Sequence, residues 1–150
     1  MTKNSKPKIV KTKSVDWVAE KNGDLEYRYK DLSGISLGAR IEELPPGQSS
    51  SYHHYHTTEE EHLFMLSGDA TLIFGNEEVT LSEGDHIWFV AGVEIAHHLE
   101  NRSAIPCSYF VYGERKTGDV VVYPESQVMF IKALDRKQFT YRTLNEGTTE

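Results

Sequence analysis

Turn signals cut this chain into short pieces, and that restricts its fold more than any other feature. Asn22-Gly23, Ser33-Gly34, Pro45-Pro46-Gly47, Gly75-Asn76 and Ser82-Glu83-Gly84-Asp85 punctuate it at close intervals. Between them lie runs with period-two alternation. In LEYRYKDLS, for example, Leu25, Tyr27 and Tyr29 alternate with charged residues. ISLGARIEEL, DATLIF, EEVTL, HIWFV, CSYFVYGE and DVVVYP continue the series, with Val79 and Leu81 expected inward. No stretch among them carries a helical period. The pattern predicts an all-β chain, an antiparallel sandwich or barrel. SVDWVAEKNG is expected to form a short turn or helix capped by Ser14, and VMFIKALDRKQFTYRTL one or two outer strands.

One stretch, Gly47 to Gly68, concentrates the chemistry. It holds His53, His54, His56 and His62 beside Glu59, Glu60 and Glu61. His54 and His56 are two residues apart, so on a strand both imidazoles point to one face. Glu61 opens an extended segment in which Leu63 and Met65 share its parity, so it should face inward with them. Two imidazoles and a carboxylate then converge from adjacent strand ends, a partial metal site. His97, in the stretch from Gly84 to Asn101, shares parity with Ile95 and Leu99, whereas His98 shares it with Ala96 and Glu100. His97 is therefore expected inward as the fourth ligand and His98 outward. His53 should point away from the site, and Glu59 and Glu60 should form a solvated face, with Glu60 the substitute ligand if the register shifts by one. His62 and His86 have no partner in this scheme and read as structural.

The two stretches resemble the paired motifs of the cupin superfamily, G-x(5,6)-H-x-H-x(3,4)-E-x6-G and G-x5-P-x-G-x2-H-x3-N. Gly47, His54, His56, Glu61 and Gly68 fall on the first, and Gly84, Gly92, His97 and Asn101 on the second. Val90 stands where the motif has proline, and two extra residues lie between Gly92 and His97. The runs AHHLENRS and GDVVVYP resemble a group of small single-domain cupins with a similarly extended loop, and the likeness spans roughly Leu37 to Pro124. It implies a double-stranded β-helix, or jelly-roll, barrel. It does not name a reaction, because one fold hosts many chemistries.

Length and charge set the remaining bounds. A chain of 150 residues suits one domain with its own core. That domain is expected over residues 14–144, with motifs at 47–68 and 84–101. A lysine-rich flexible arm at 1–13 and a tail at 145–150 flank it. The net charge of −7 argues against a nucleic-acid surface. No apolar run reaches the roughly eighteen residues of a membrane span, and no signal-peptide core is present, so a cytoplasmic protein is expected. Cys107 is the single cysteine, expected as a small buried hydrophobe.

Three imidazoles and a carboxylate suit one divalent Mn, Fe, Ni, Co, Cu or Zn ion, with open positions for water, an organic acid or dioxygen. Tyr52, Arg40, Trp88 and Tyr109 are candidates for the cavity wall, and Asn101 for a turn. Two functions fit. One is a metal-dependent enzyme (dioxygenase, decarboxylase, isomerase or lyase) on a small polar metabolite such as an organic acid or sugar-like compound. The other is a non-catalytic small-molecule-binding or sensing domain. HLFMLSG is apolar on both faces and needs a cover, from which a homodimer is expected, the alternative being that the chain's own N-terminal strand covers it.

Overall fold

The computed structural model describes residues 6–143. The first five residues of the expected arm and the whole expected tail, 145–150, lie outside that range. Lys6 to Lys13 are exposed, and Lys30 Nζ donates to the Thr12 carbonyl at 2.7 Å. Among the described residues no helix is long and apolar enough to cross a membrane.

Alternation in the sequence becomes antiparallel strands throughout, in two facing layers. One layer is a six-stranded sheet. It contains β1 (Val18–Asn22), β2 (Leu25–Asp31), β3 (Leu37–Leu44), β5 (Glu61–Ser67), β8 (His86–Phe89) and β10 (Cys107–Glu114), in the order β1-β2-β3-β10-β5-β8. The opposing layer is in two parts. One is β4 (Tyr55–His56), β11 (Val120–Tyr123), β12 (Val128–Ile131) and β13 (Lys137–Thr140), ordered β13-β12-β11-β4. The other is β6 (Ala70–Phe74), β7 (Glu77–Leu81) and β9 (His97–Glu100), ordered β7-β6-β9. The bridges His54–His97 and Ser49–Glu100 join these parts into one wall. The result is a jelly-roll barrel, as the resemblance to the paired motifs implies.

Leu44, Met65, Ala70, Leu81, Leu99 and Cys107 fill one end of the barrel, each under 9% exposed. Burial lifts the Cys107 thiol to about 11, so it is an inert packing group. The other end, where Glu61 pairs with Phe89 and Phe74 with His97, is hollow. Gly47, Gly68, Gly84 and Gly92 all take positive φ, between 71° and 92°, which side chains resist. Gly113 on β10 serves differently. A Cβ there would collide with the Glu60 carbonyl, so only glycine lets β10 close on the start of β5.

Two local expectations change. Near the start of SVDWVAEKNG the helical residues are Thr12–Ser14, a 3-10 turn without a side-chain cap, because Val18 onward is drawn into β1 by pairing with β2. β12 and β13 do not pack outside the barrel but extend its second wall, β12 pairing with β11 and β13 with β12.

Candidate metal centre

Strand geometry brings His54, His56, Glu61 and His97 to the hollow end. His54 and His97 face each other across a bridge, with the His97 amide donating to the His54 carbonyl at 2.9 Å. The ring of His54 lies 5.3 Å from that of His56 and 5.1 Å from that of His97. Glu61 lines the same space from β5, across the barrel. Its carboxyl is raised above the usual range by burial, and no hydrogen bond from a described residue relieves it. Glu60 also lines the space, from just ahead of the strand.

Each imidazole is tied at Nδ1. His54 Nδ1 donates to the Tyr52 carbonyl at 2.8 Å, and His56 Nδ1 donates to Asp119 Oδ2 at 2.7 Å. His97 Nδ1 lies 3.5 Å from the Ile95 carbonyl, and Phe89 stacks flat on its ring at 3.7 Å. A proton fixed on Nδ1 leaves the Nε2 lone pair free to coordinate. His97 Nε2 is buried and unpartnered among the described residues. A buried nitrogen left this way costs stability unless something fills the gap. Burial also lowers His54 to about 4 and His97 to about 3, so both rings are neutral at pH 7, as coordination requires. The donor types suit a divalent transition metal, but no three of these four residues present donor atoms within 4.8 Å of one another.

His98 lies on the opposite face of β9. Its Nε2 is 3.1 Å from Glu100 Oε1, and its ring packs edge-on against His53 at 5.0 Å. His53 in turn reaches Glu125 and the Ala96 carbonyl, so it is anchored rather than solvated.

Glu59 departs from its expected role. It is 7% exposed, not part of a solvated face. One carboxylate oxygen accepts from the Lys116 amide at 2.6 Å, and the other pairs with Lys132. Local sequence shows three adjacent acids, but not that Lys132 arrives from 73 residues away. Glu59, His56 and Asp119 also place one donor atom each within 4.8 Å of one another. Lys132 Nζ already lies 3.0 Å from Asp119 and pairs with Glu59. A cation there would have to displace an ammonium and use the occupied Nδ1 face of His56. We read this group as the support that orients His56.

No local signal in the sequence marks Asp119, which sits in an ordinary turn before VVVY. It is fully buried, and burial alone would raise its carboxyl. Hydrogen bonds from His56 and the Thr58 amide, with Lys132 beside it, outweigh that and hold it well below the usual range.

Two cavities share His56, Glu59 and Glu61 in their walls. The first, of about 360 Å³, includes His54, Tyr27, Arg40, Glu42, Tyr109 and Tyr123. The second, of about 500 Å³, includes His97, Phe74, Phe89, Val79, Val93 and Ile95. Both volumes are typical of small-molecule sites. Trp88 reaches the second, whereas Tyr52 lines neither and donates its hydroxyl to the Asn22 carbonyl.

The cupin domain family matches residues 40–113, which contain all four of these side chains. The chain is a cupin. A crystal structure described as a sugar phosphate isomerase of the cupin superfamily from Silicibacter pomeroyi shares 25% identity. It aligns over 82% of this chain and 85% of its own, with a TM-score of 0.74. A provisionally named sugar phosphate isomerase from Acidithiobacillus ferrooxidans gives a TM-score of 0.79 at 24% identity, over 89% and 92% of the two chains. A predicted oxalate decarboxylase from Thermotoga maritima gives 0.64 at 18%, over 73% and 100%. No curated protein sequence matches the chain.

The departures of this cupin from its family motif have structural answers. Without a proline at position 90, the turn is held by Gly92, whose amide donates to the His56 carbonyl at 3.1 Å. Asn101 is a turn residue rather than a donor to the site. Its amide group donates to the Leu44 and Ile105 carbonyls, and its Oδ1 accepts from Ser103.

Proposed function

We propose that this cupin is a divalent-metal-dependent enzyme acting on a small polar metabolite, an organic acid or a sugar-like compound. His54, His56, Glu61 and His97 would hold the ion. The observation that carries the reading is the buried, unpartnered Nε2 of His97, set among two further imidazoles with engaged Nδ1 atoms and an unrelieved buried carboxyl. When bound, the ion supplies positive charge that polarises a carbonyl or carboxylate oxygen.

The chain's own residues supply positioning and a proton site. Glu42 faces the first cavity from β3, 9% exposed, with Oε2 accepting from the Tyr109 hydroxyl at 2.9 Å and Arg40 3.9 Å from Oε1. Burial pushes its carboxyl up to about 7, close to where a group exchanges protons best in neutral solution. Proton transfer at Glu42 suits an isomerase or a decarboxylase, and structural relatives carrying those names support the choice.

The test is turnover of a panel of organic acids and sugar phosphates by metal-loaded and chelated protein. Activity should vanish on chelation and return with one divalent ion. Glu42→Gln should lower kcat while metal content is retained. Tight ligand binding with no turnover by the loaded protein would overturn the enzyme reading in favour of a binding or sensing domain.

The outer face of the six-stranded sheet supports a homodimer, which belongs to the same proposal. Phe64 and Leu66 are 39% and 38% exposed there, and β1 and β2 extend the sheet edge without covering them. Light scattering at micromolar concentration should give twice 17.1 kDa, and the monomer mass would refute it.

A further inference from the structure

The two cavities beside the candidate metal centre differ in chemistry, and the difference constrains what can lie across it. On the Arg40–Glu42 side the wall is polar and of mixed charge, with the hydroxyls of Tyr27, Tyr109 and Tyr123, the Arg40 guanidinium and Lys132 ammonium, and the carboxyls of Glu42 and Glu61. On the His97 side it is made of Phe74, Phe89, Val79, Val90, Val93 and Ile95. Val79, Val90, Val93 and Ile95 are between 43% and 50% exposed in this chain, so apolar surface rims the opening.

This rim is held in place. The Gly92 amide donates to the His56 carbonyl, the Gly75 amide donates to the Ala96 carbonyl at 2.9 Å, and Ile95 packs 3.5 Å from where a Cβ on Gly75 would stand. The loop carrying Val93 and Ile95 is the one lengthened by two residues, and Val90 stands in the proline position of the motif. The departures from the family pattern therefore fall on the apolar mouth. His56, Glu61 and His97 line the same cavity, so an occupant of the apolar half would adjoin the candidate donors.

We propose that the ligand of this site is an amphipathic organic acid, its anionic head in the Arg40 half and an aliphatic or aromatic tail in the half walled by Phe74, Phe89, Val93 and Ile95. The proposal rests on the metal-site reading for the position of the head, but not for the tail cavity. A sugar phosphate, polar along its whole length, would leave that wall unsatisfied and its own hydroxyls without partners.

Calorimetric titration of Mn(II)-loaded protein with glycolate, lactate, α-hydroxybutyrate, α-hydroxyhexanoate and α-hydroxyoctanoate tests it. Affinity should rise about fourfold per methylene until the cavity is full, the factor expected for burying one CH₂. Val93→Asp with Ile95→Asp should flatten the series, and so should Val79→Thr on the facing strand. Melting curves show that the variants fold, and elemental analysis reads their metal content. A series that is flat in folded, metal-loaded wild type overturns the proposal, whether a second copy fills the cavity or the tail stays in water. A slope that persists in chelated protein, is lost in the variants, and occurs where no metal is ever taken up keeps the tail site and overturns the metal reading.

Discussion

Two sets of histidines lie inside and outside the same barrel, and their surroundings differ more than their number. Inside, His54, His56 and His97 each direct Nδ1 at an oxygen: the Tyr52 carbonyl, Asp119 and the Ile95 carbonyl. Outside, His62 Nδ1 faces His86 Nε2 at 3.2 Å, so one ring must serve as acceptor for the other. His62 also lies flat between Trp88 and Tyr112, at 5.9 and 5.1 Å. The inner rings are oriented by acceptors from separate parts of the barrel, and they line two adjoining cavities that share His56. The outer rings satisfy each other and offer no carboxylate. Fixed acceptors, rather than a count of imidazoles, prepare a ligand set.

The contrast is tested most severely on β9, where adjacent histidines face opposite ways. His97→Ala should lose metal affinity by more than the roughly 10–100-fold carried by outer-sphere partners, whereas His98→Ala should keep it. Elemental analysis of both purified variants decides. Loss in His98→Ala with retention in His97→Ala would reverse the assignment.

That pair also shows what could be read in advance. Parity with Ile95 and Leu99 was enough to turn His97 inward, and parity with Leu63 and Met65 did the same for Glu61. Both sit on strands whose apolar alternation is local information. Asp119, Lys132 and Glu42 were invisible by the same logic. Asp119 reaches His56 across 63 residues, and Tyr109 reaches Glu42 across 67. Only the order of strands brings them together, and no spacing rule contains it. Glu59 departs from the sequence expectation for the same reason, since a run of acids looks solvated until its distant lysine is in place.

Glu42 provides the next largest effect. Its folded carboxyl titrates at about 7, above the ordinary 4.5, so the folded chain keeps a proton that the unfolded chain releases. The stability this contributes is complete below about pH 4.5 and is lost as pH rises through about 7, a change of roughly 3 kcal/mol. Glu42→Gln keeps an acceptor for the Tyr109 hydroxyl and carries no charge. It should match wild type near pH 4.5 and exceed it by about 3 kcal/mol near pH 8, measured by urea unfolding. Equal pH slopes in the two proteins would show that the inner face tolerates this charge.

Asp119→Asn should be smaller and more selective. The imidazole of His56 would lose its anionic acceptor, and metal affinity should fall about 10–100-fold, read by competition with a chelator. Unchanged affinity would mean that His56 is held by its strand alone, and the distinction between tied and untied rings would lose its force.

The smallest effect is expected outside. His62→Ala removes the ring stacked between Trp88 and Tyr112 and the partner of His86. Aromatic contacts of this kind contribute about 0.5–1.5 kcal/mol, and the face is partly open to solvent, so the melting temperature should drop slightly. Metal content should not change, because β5 presents His62 and Glu61 to opposite sides. The same holds for His86→Ala. If either outer variant lowered metal affinity as far as Asp119→Asn, the two faces would be coupled through β5. Glu61 would then owe its position to the aromatic stack behind it as well as to the barrel in front.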